Sequence, residues 1–277
     1  MNETPDASTA HSGAPAPVDP LFLATVSIST FEGAQALTNA SGFFFERDQR
    51  LFLVTSRHVV IDEPSQHHPD RIEITLHLDA QDLTQCTGFS MLLYADGVAV
   101  WRQGADGGGE IDVATLEIDR TALPPEAIVH AFSPEHLLDD FDRVAPDAAL
   151  CIAGFPLGFG DAVHQLPVLR HGGLASPFGI RFQGKGYFLT DARTHRGCSG
   201  APVVMRMAQA DAQNIGALPW VLLGVHSARL DMGNRDLQQD ESLGLNCAWY
   251  ADILLTLTQA PDDATHNATD DAAAGED

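Results

Sequence analysis

Three short stretches carry residue types that act together on acyl groups. Thr55-Ser56-Arg57-His58 ends an apolar run, which puts a histidine at the turn after a strand. Glu110-Ile111-Asp112-Val113-Ala114 places a carboxylate at the mouth of another strand, beside the glycine-rich Gly107-Gly108-Gly109. Gly197-Cys198-Ser199-Gly200-Ala201-Pro202 brackets a serine with glycines ahead of a third. Taken singly, each has an ordinary structural reading as a turn or strand end. Jointly they form a chemical set. A serine hydroxyl is a poor nucleophile until a base takes its proton. An imidazole does this near neutral pH, and a carboxylate then holds its tautomer and stabilises the imidazolium. His58 precedes Asp112 by 54 residues, and Asp112 precedes Ser199 by 87.

Residues so far apart in sequence must be brought together by the elements that carry them. The chain reads as short strands separated by turn residues. A first series covers 21–30, 41–46, 51–55, 71–78, 89–101 and 113–118, and a second covers 149–153, 167–172, 186–190, 202–205, 220–225 and 244–249. Between them, 124–146 reads as a helical or irregular connector, and 250–257 as a short C-terminal helix. Two groups of about six strands predict an all-β protein of two packed barrels or a sandwich. His58 and Asp112 fall in the first group and Ser199 in the second, so the site would lie between the groups.

The 277 residues carry 15 Lys+Arg against 38 Asp+Glu, a formal net charge of −23. Such a balance argues against nucleic-acid backbones and anionic membranes as partners. No apolar run approaches the roughly 18–20 residues of a bilayer-spanning helix. The N-terminus, Met1-Asn2-Glu3-Thr4-Pro5-Asp6, is acidic where a secretory leader is basic, so a cytoplasmic location is the expectation. Cys86, Cys151, Cys198 and Cys247 show no metal-ligand spacing, and neither a metal nor a cofactor is expected. Residues 1–20 and 260–277 have tail-like compositions. The expected organisation is therefore a flexible tail over 1–20, a first barrel over 21–135, a connector and second barrel over 136–259, and an acidic flexible tail over 260–277.

The three stretches resemble, in order, the Thr-x-x-His, Asp-x-Ala and Gly-x-Ser-Gly-x-Pro signatures of chymotrypsin-fold (trypsin-like) serine peptidases. Gly42-Phe43 and Gly154-Phe155-Pro156-Leu157-Gly158 are similar to further stretches of bacterial members. The resemblance spans nearly all of 21–259, and no appended peptide-binding domain is expected after Ser199. It implies two six-stranded antiparallel β-barrels of the chymotrypsin type with a short C-terminal helix. It also implies peptide-bond hydrolysis through an acyl-enzyme, with Ser199 as nucleophile, His58 as base and then acid, and Asp112 as orienter. The backbone N–H groups of Gly197 and Ser199 would then hold the oxyanion. Leu223-Gly224-Val225-His226-Ser227 resembles a pocket strand of glutamyl endopeptidases and viral chymotrypsin-like cysteine proteases. On that resemblance Thr194 and His226, with Arg229 adding positive charge, would recognise Glu or Gln before the cut. The expected partner is a protein or peptide substrate. A catalytically silent binding module on the same fold, and an esterase using the same site, are the alternatives.

Overall fold

Period-two burial sets the strands. In Arg71–His77, Ile72, Ile74 and Leu76 are buried while Arg71, Glu73 and Thr75 face outward. A computed structural model describes residues 18–207, 218–230 and 243–260. The first half contains α1 (Leu21–Ala24), β1 (Thr25–Glu32), β2 (Gln35–Arg47), β3 (Arg50–Thr55), α2 (Arg57–Val60), β4 (Arg71–His77), β5 (Cys86–Leu92), β6 (Tyr94–Ala95), β7 (Val98–Ala99), β8 (Trp101–Asp106) and β9 (Gly109–Ile118). The second contains β10 (Leu150–Gly154), β11 (Val168–Gly172), β12 (Tyr187–Thr190), β13 (Pro202–Arg206), β14 (Trp220–Arg229), β15 (Asn246–Tyr250) and α3 (Ile253–Leu257).

The protein is mostly β, with two separate large antiparallel sheets, as in a two-part chymotrypsin-like fold, and a small two-stranded sheet of β6 and β7 among the described residues. One sheet has seven strands in the order β5-β4-β1-β2-β3-β9-β8, one more than expected. The other has six, β11-β10-β13-β14-β15-β12. Each sheet has its own apolar cluster, one around Ile28, Leu53, Ile72 and Leu116, the other around Ile152, Phe188, Val203 and Leu223. A third cluster joins the sheets, bringing Phe43, Val54 and Val113 together with Ala153, Leu189 and Leu222. The connector is irregular, with tight helical turns at Pro134–His136 and Phe141–Arg143. It is tied down by Phe132, fully buried, whose backbone pairs with Phe44 and Glu46.

Two strand expectations are corrected. Residues 21–24 form a helical turn, because Asp19 accepts a hydrogen bond from Leu21 N at 3.0 Å and fixes a turn where a strand would begin. The expected 89–101 strand is broken by Asp96-Gly97, both at positive φ (52° and 77°), which form a two-residue hairpin turn between β6 and β7. The expected tails lie almost wholly outside the described residues.

Candidate active site

The ladder between β3 and β9 pairs Thr55 with Ala114, which sets the end of β3 beside Asp112. Ser56 then turns the chain into α2, whose first turn carries His58. Asp112 grips this residue twice. Its Oδ1 accepts from His58 N at 2.9 Å, and its Oδ2 lies 2.7 Å from His58 Nδ1. The Nδ1 proton therefore points at the carboxylate, and Nε2 is left as an acceptor. Ser199 Oγ stands 2.9 Å from that Nε2. Its hydroxyl proton can face either His58 Nε2 or the carbonyl of Ser227, which is 3.1 Å away.

Electrostatics follow from this packing. Burial is the largest influence on His58 and opposes its charged form. The hydrogen bond and charge of Asp112, with the charge of Asp62, outweigh it and raise the pKa above 6.5. Burial likewise works against the Asp112 carboxylate. Hydrogen bonding and charge from His58, the Ser227 hydroxyl and His58 N together overcome that and hold its pKa below the usual value.

Ser199 is carried by a loop that two left-handed glycines make possible, Gly197 at φ 90° and Gly200 at φ 83°. A Cβ at Gly200 would strike Ser41 O and Thr55 Oγ1, and one at Gly197 would strike Phe155 O. The loop is held by Gly200 N donating to His226 O at 2.7 Å and Ala201 N donating to Cys198 O at 2.9 Å. Leu157 N donates to Arg196 O at 2.5 Å, and the Ser41 hydroxyl donates to Gly197 O at 2.7 Å. A trans peptide points its N–H opposite its carbonyl. With Arg196 O committed to Leu157, Gly197 N–H faces the other way. Among the described residues neither Gly197 N nor Ser199 N donates to a protein acceptor.

The residues expected to line a specificity pocket gather at the β14–β15 side. His226 is 2% exposed, with no hydrogen-bond partner for its Nδ1 among the described residues. Burial, reinforced by the nearby His58 charge, pushes its pKa down to about 4, so it is neutral at pH 7. Thr194 is buried and donates to Asn246 Oδ1 at 2.5 Å, while Asn246 Nδ2 donates to Ala192 O at 2.7 Å. Arg229 is exposed and pairs with Asn246 across the β14–β15 ladder.

Several residues at the site escaped sequence reasoning. Ser227 donates its hydroxyl to Asp112 Oδ2 at 2.5 Å, and its position directly after His226 was the available signal. Ser41 braces the site across the sheets. Its N donates to Ser199 O, and its Oγ accepts from Phe155 N, both at 2.9 Å. Asn246 and Asp62 carried no local signal.

The sequence matches none of the curated proteins it was compared with. Among solved structures, a serine endoprotease from Yersinia pestis is similar at 18% identity and TM-score 0.48, over 85% of this chain and 61% of that one. The chain thus spans less than two thirds of that protein's length. An inactive serine-to-alanine form of Rv3671c from M. tuberculosis H37Rv is similar at 15% identity and TM-score 0.47, over 93% of this chain and 95% of that one. A family model described as a trypsin-like peptidase domain matches residues 40–209. That match takes in His58, Asp112 and Ser199 and covers more than half of the sequence, so the chain belongs to the trypsin-like peptidase family.

Proposed function

We propose that the protein is a serine endopeptidase that hydrolyses peptide bonds through an acyl-enzyme at Ser199. The observation that carries this reading is the continuous line from Ser199 Oγ to His58 Nε2 at 2.9 Å and from His58 Nδ1 to Asp112 Oδ2 at 2.7 Å. In the first step His58 takes the Ser199 proton as Oγ attacks the scissile carbonyl. The oxyanion that forms is held by Gly197 N–H and Ser199 N–H, a contribution of about 2.7–4 kcal/mol per donor in comparable sites. His58, now charged beside Asp112, gives its proton to the leaving amine. Water then enters, and His58 takes one of its protons as its oxygen attacks the acyl carbon. The Ser199 Oγ–carbon bond breaks as His58 returns that proton to Oγ, releasing the acyl group as a carboxylic acid. Asp112 stays ionised throughout, held by His58 and Ser227.

The acyl-side pocket is proposed to accept Glu or Gln through His226 and Thr194, with Arg229 adding positive charge at the ladder end. The support is the placement of a neutral imidazole directly against the nucleophile loop, where the His226 carbonyl accepts from Gly200 N. The four cysteines are free thiols, three of them buried, which suits a reducing compartment such as the cytoplasm.

Fluorophosphonate labelling tests the nucleophile. Wild-type protein is expected to label and Ser199→Ala is not. Labelling that survives the substitution, or no labelling of the wild type, would favour a binding module. A peptide library digested by the unlabelled wild-type enzyme tests the pocket, and a preference for Lys or Leu before the cut would remove the Glu/Gln assignment.

A further inference from the structure

The segment 155–166, which follows β10, belongs by chain to the second sheet, yet it is held from the first. Leu157 opens it with a left-handed backbone, φ 57°, and with a side chain 70% exposed. A leucine persists in that conformation only where its surroundings impose it. Its own packing does not, and Phe159 and Val163 further along are exposed as well. Hydrogen bonds hold the segment instead. At its base Phe155 N donates to Ser41 Oγ on β2 at 2.9 Å. Near its tip the buried His77, on β4, donates from Nε2 to His164 O at 2.7 Å. Among the described residues, every other hydrogen bond of 158–166 is made within 155–166. Asp161 closes the tip, its N donating to Leu166 O at 3.0 Å and its Oδ1 accepting from Val163 N at 2.9 Å.

What this segment delivers is the Leu157 N–H, which donates to Arg196 O at 2.5 Å. That bond fixes the peptide between Arg196 and Gly197. Under the endopeptidase reading, on which this inference rests, the N–H of the same peptide is one of the two oxyanion donors. Gly197 carries no Cβ, so its own φ does little to resist a turn of that peptide. The restraint has to come from outside the loop. It runs from His77 through His164 O and the closed tip to Leu157 N, and from there to Arg196 O.

We propose that His77 is a positioning residue for the oxyanion donors. It touches no reacting atom. It anchors the segment whose Leu157 N–H keeps Gly197 N–H turned toward the scissile carbonyl.

Three variants test this. His77→Leu removes the donor, while His77→Gln keeps an amide N–H that reaches His164 O. In the third, two glycines replace residues 162–165, which removes the acceptor and leaves a two-residue connection between the bridged Asp161 and Leu166. Each is compared with wild type by p-nitrophenyl ester hydrolysis, per site titrated with a fluorophosphonate. Loss of a whole oxyanion donor costs about 100- to 1,000-fold in kcat, so a loosened one is expected to cost about tenfold. That drop should appear in His77→Leu and in the shortened tip, with KM unchanged, and His77→Gln should restore kcat. Combining His77→Leu with the shortened tip should cost no more than either alone, because both break the same bond. If His77→Leu does not fold, the shortened tip, made at an exposed turn, carries the test by itself. Unchanged kcat per titrated site in the shortened tip would overturn the proposal, as would a rise in KM in place of the kcat loss. A wild type that neither labels nor hydrolyses the ester would remove the endopeptidase reading and this inference with it. A wild type that does both, with variants equal to it, would remove His77 alone.

Discussion

At the scale of single residues, the site is a contest between burial and pairing. His58 is needed neutral to accept the Ser199 proton, yet Asp112 and Asp62 both favour its charged form. Its folded pKa is raised, so kcat/KM should climb with pH along a limb centred above 6.5. Asp62→Asn removes one source of that upward pull and should move the limb to lower pH, as read from kcat/KM profiles on an ester substrate. A limb unmoved by that change would mean Asp62 has no influence on the base. Ser227 acts on the other partner. Its hydroxyl stabilises the Asp112 carboxylate. A hydrogen bond to a charged group contributes about 1.5–3 kcal/mol, so Ser227→Ala should lower kcat/KM about ten- to a hundredfold. Ester kinetics check this, and a variant with wild-type kcat/KM would remove Ser227 from the positioning of Asp112.

At the scale of elements, the nucleophile loop takes its shape from strands that are distant in sequence. Ser41 on β2 is the clearest case. Its hydroxyl serves both Gly197 O and Phe155 N, groups buried at the seam between the sheets. Ser41→Ala strips a partner from each, at about 1–3 kcal/mol per unsatisfied group, so a Tm several degrees lower is expected in thermal melts. An unchanged Tm would show that water replaces the hydroxyl. These dependencies also explain what could be read from the chain beforehand. His58, Asp112 and Ser199 were legible because each stands at a strand end with its own turn chemistry. Ser41 was not, since 156 residues separate it from Gly197 and its role exists only through cross-sheet pairing. Asn246 was hidden for the same reason, its side chain closing on Thr194 and Ala192 across the β12–β15 edge. Asp96-Gly97 is the opposite case. That hairpin signal was present in the sequence, but the apolar residues on either side read as one long strand.

At the scale of the whole molecule, the site lies in a seam, so whatever holds the two sheets together also holds the catalytic geometry. Two terminal segments strap that seam. Asp19 accepts from Trp220 Nε1 at 2.9 Å and from Arg206 at 2.7 Å, while Leu21 and Ala24 of α1 enter the shared cluster. At the other end α3 follows directly on the second sheet yet packs on the first. Leu254 is fully buried and Leu257 is 4% exposed, and Thr115 Oγ1 on β9 donates to Leu257 O at 3.3 Å. Arg47, Arg50 and Arg102 donate to the carbonyls at the end of this segment, at Leu255, Thr258 and Gln259. Ending the chain before Ile253 would expose the partners of two leucines, each contributing about 1.5–3 kcal/mol by burial, and would release those arginines. Ending it after Ala260 would leave every one of these contacts in place. The first truncation should lower the denaturation free energy by about 3–6 kcal/mol and depress kcat/KM through a loosened seam. The second should change neither, as measured by urea melts and ester kinetics on both proteins. Equal stability in the two would show that α3 rests on the first sheet without holding it.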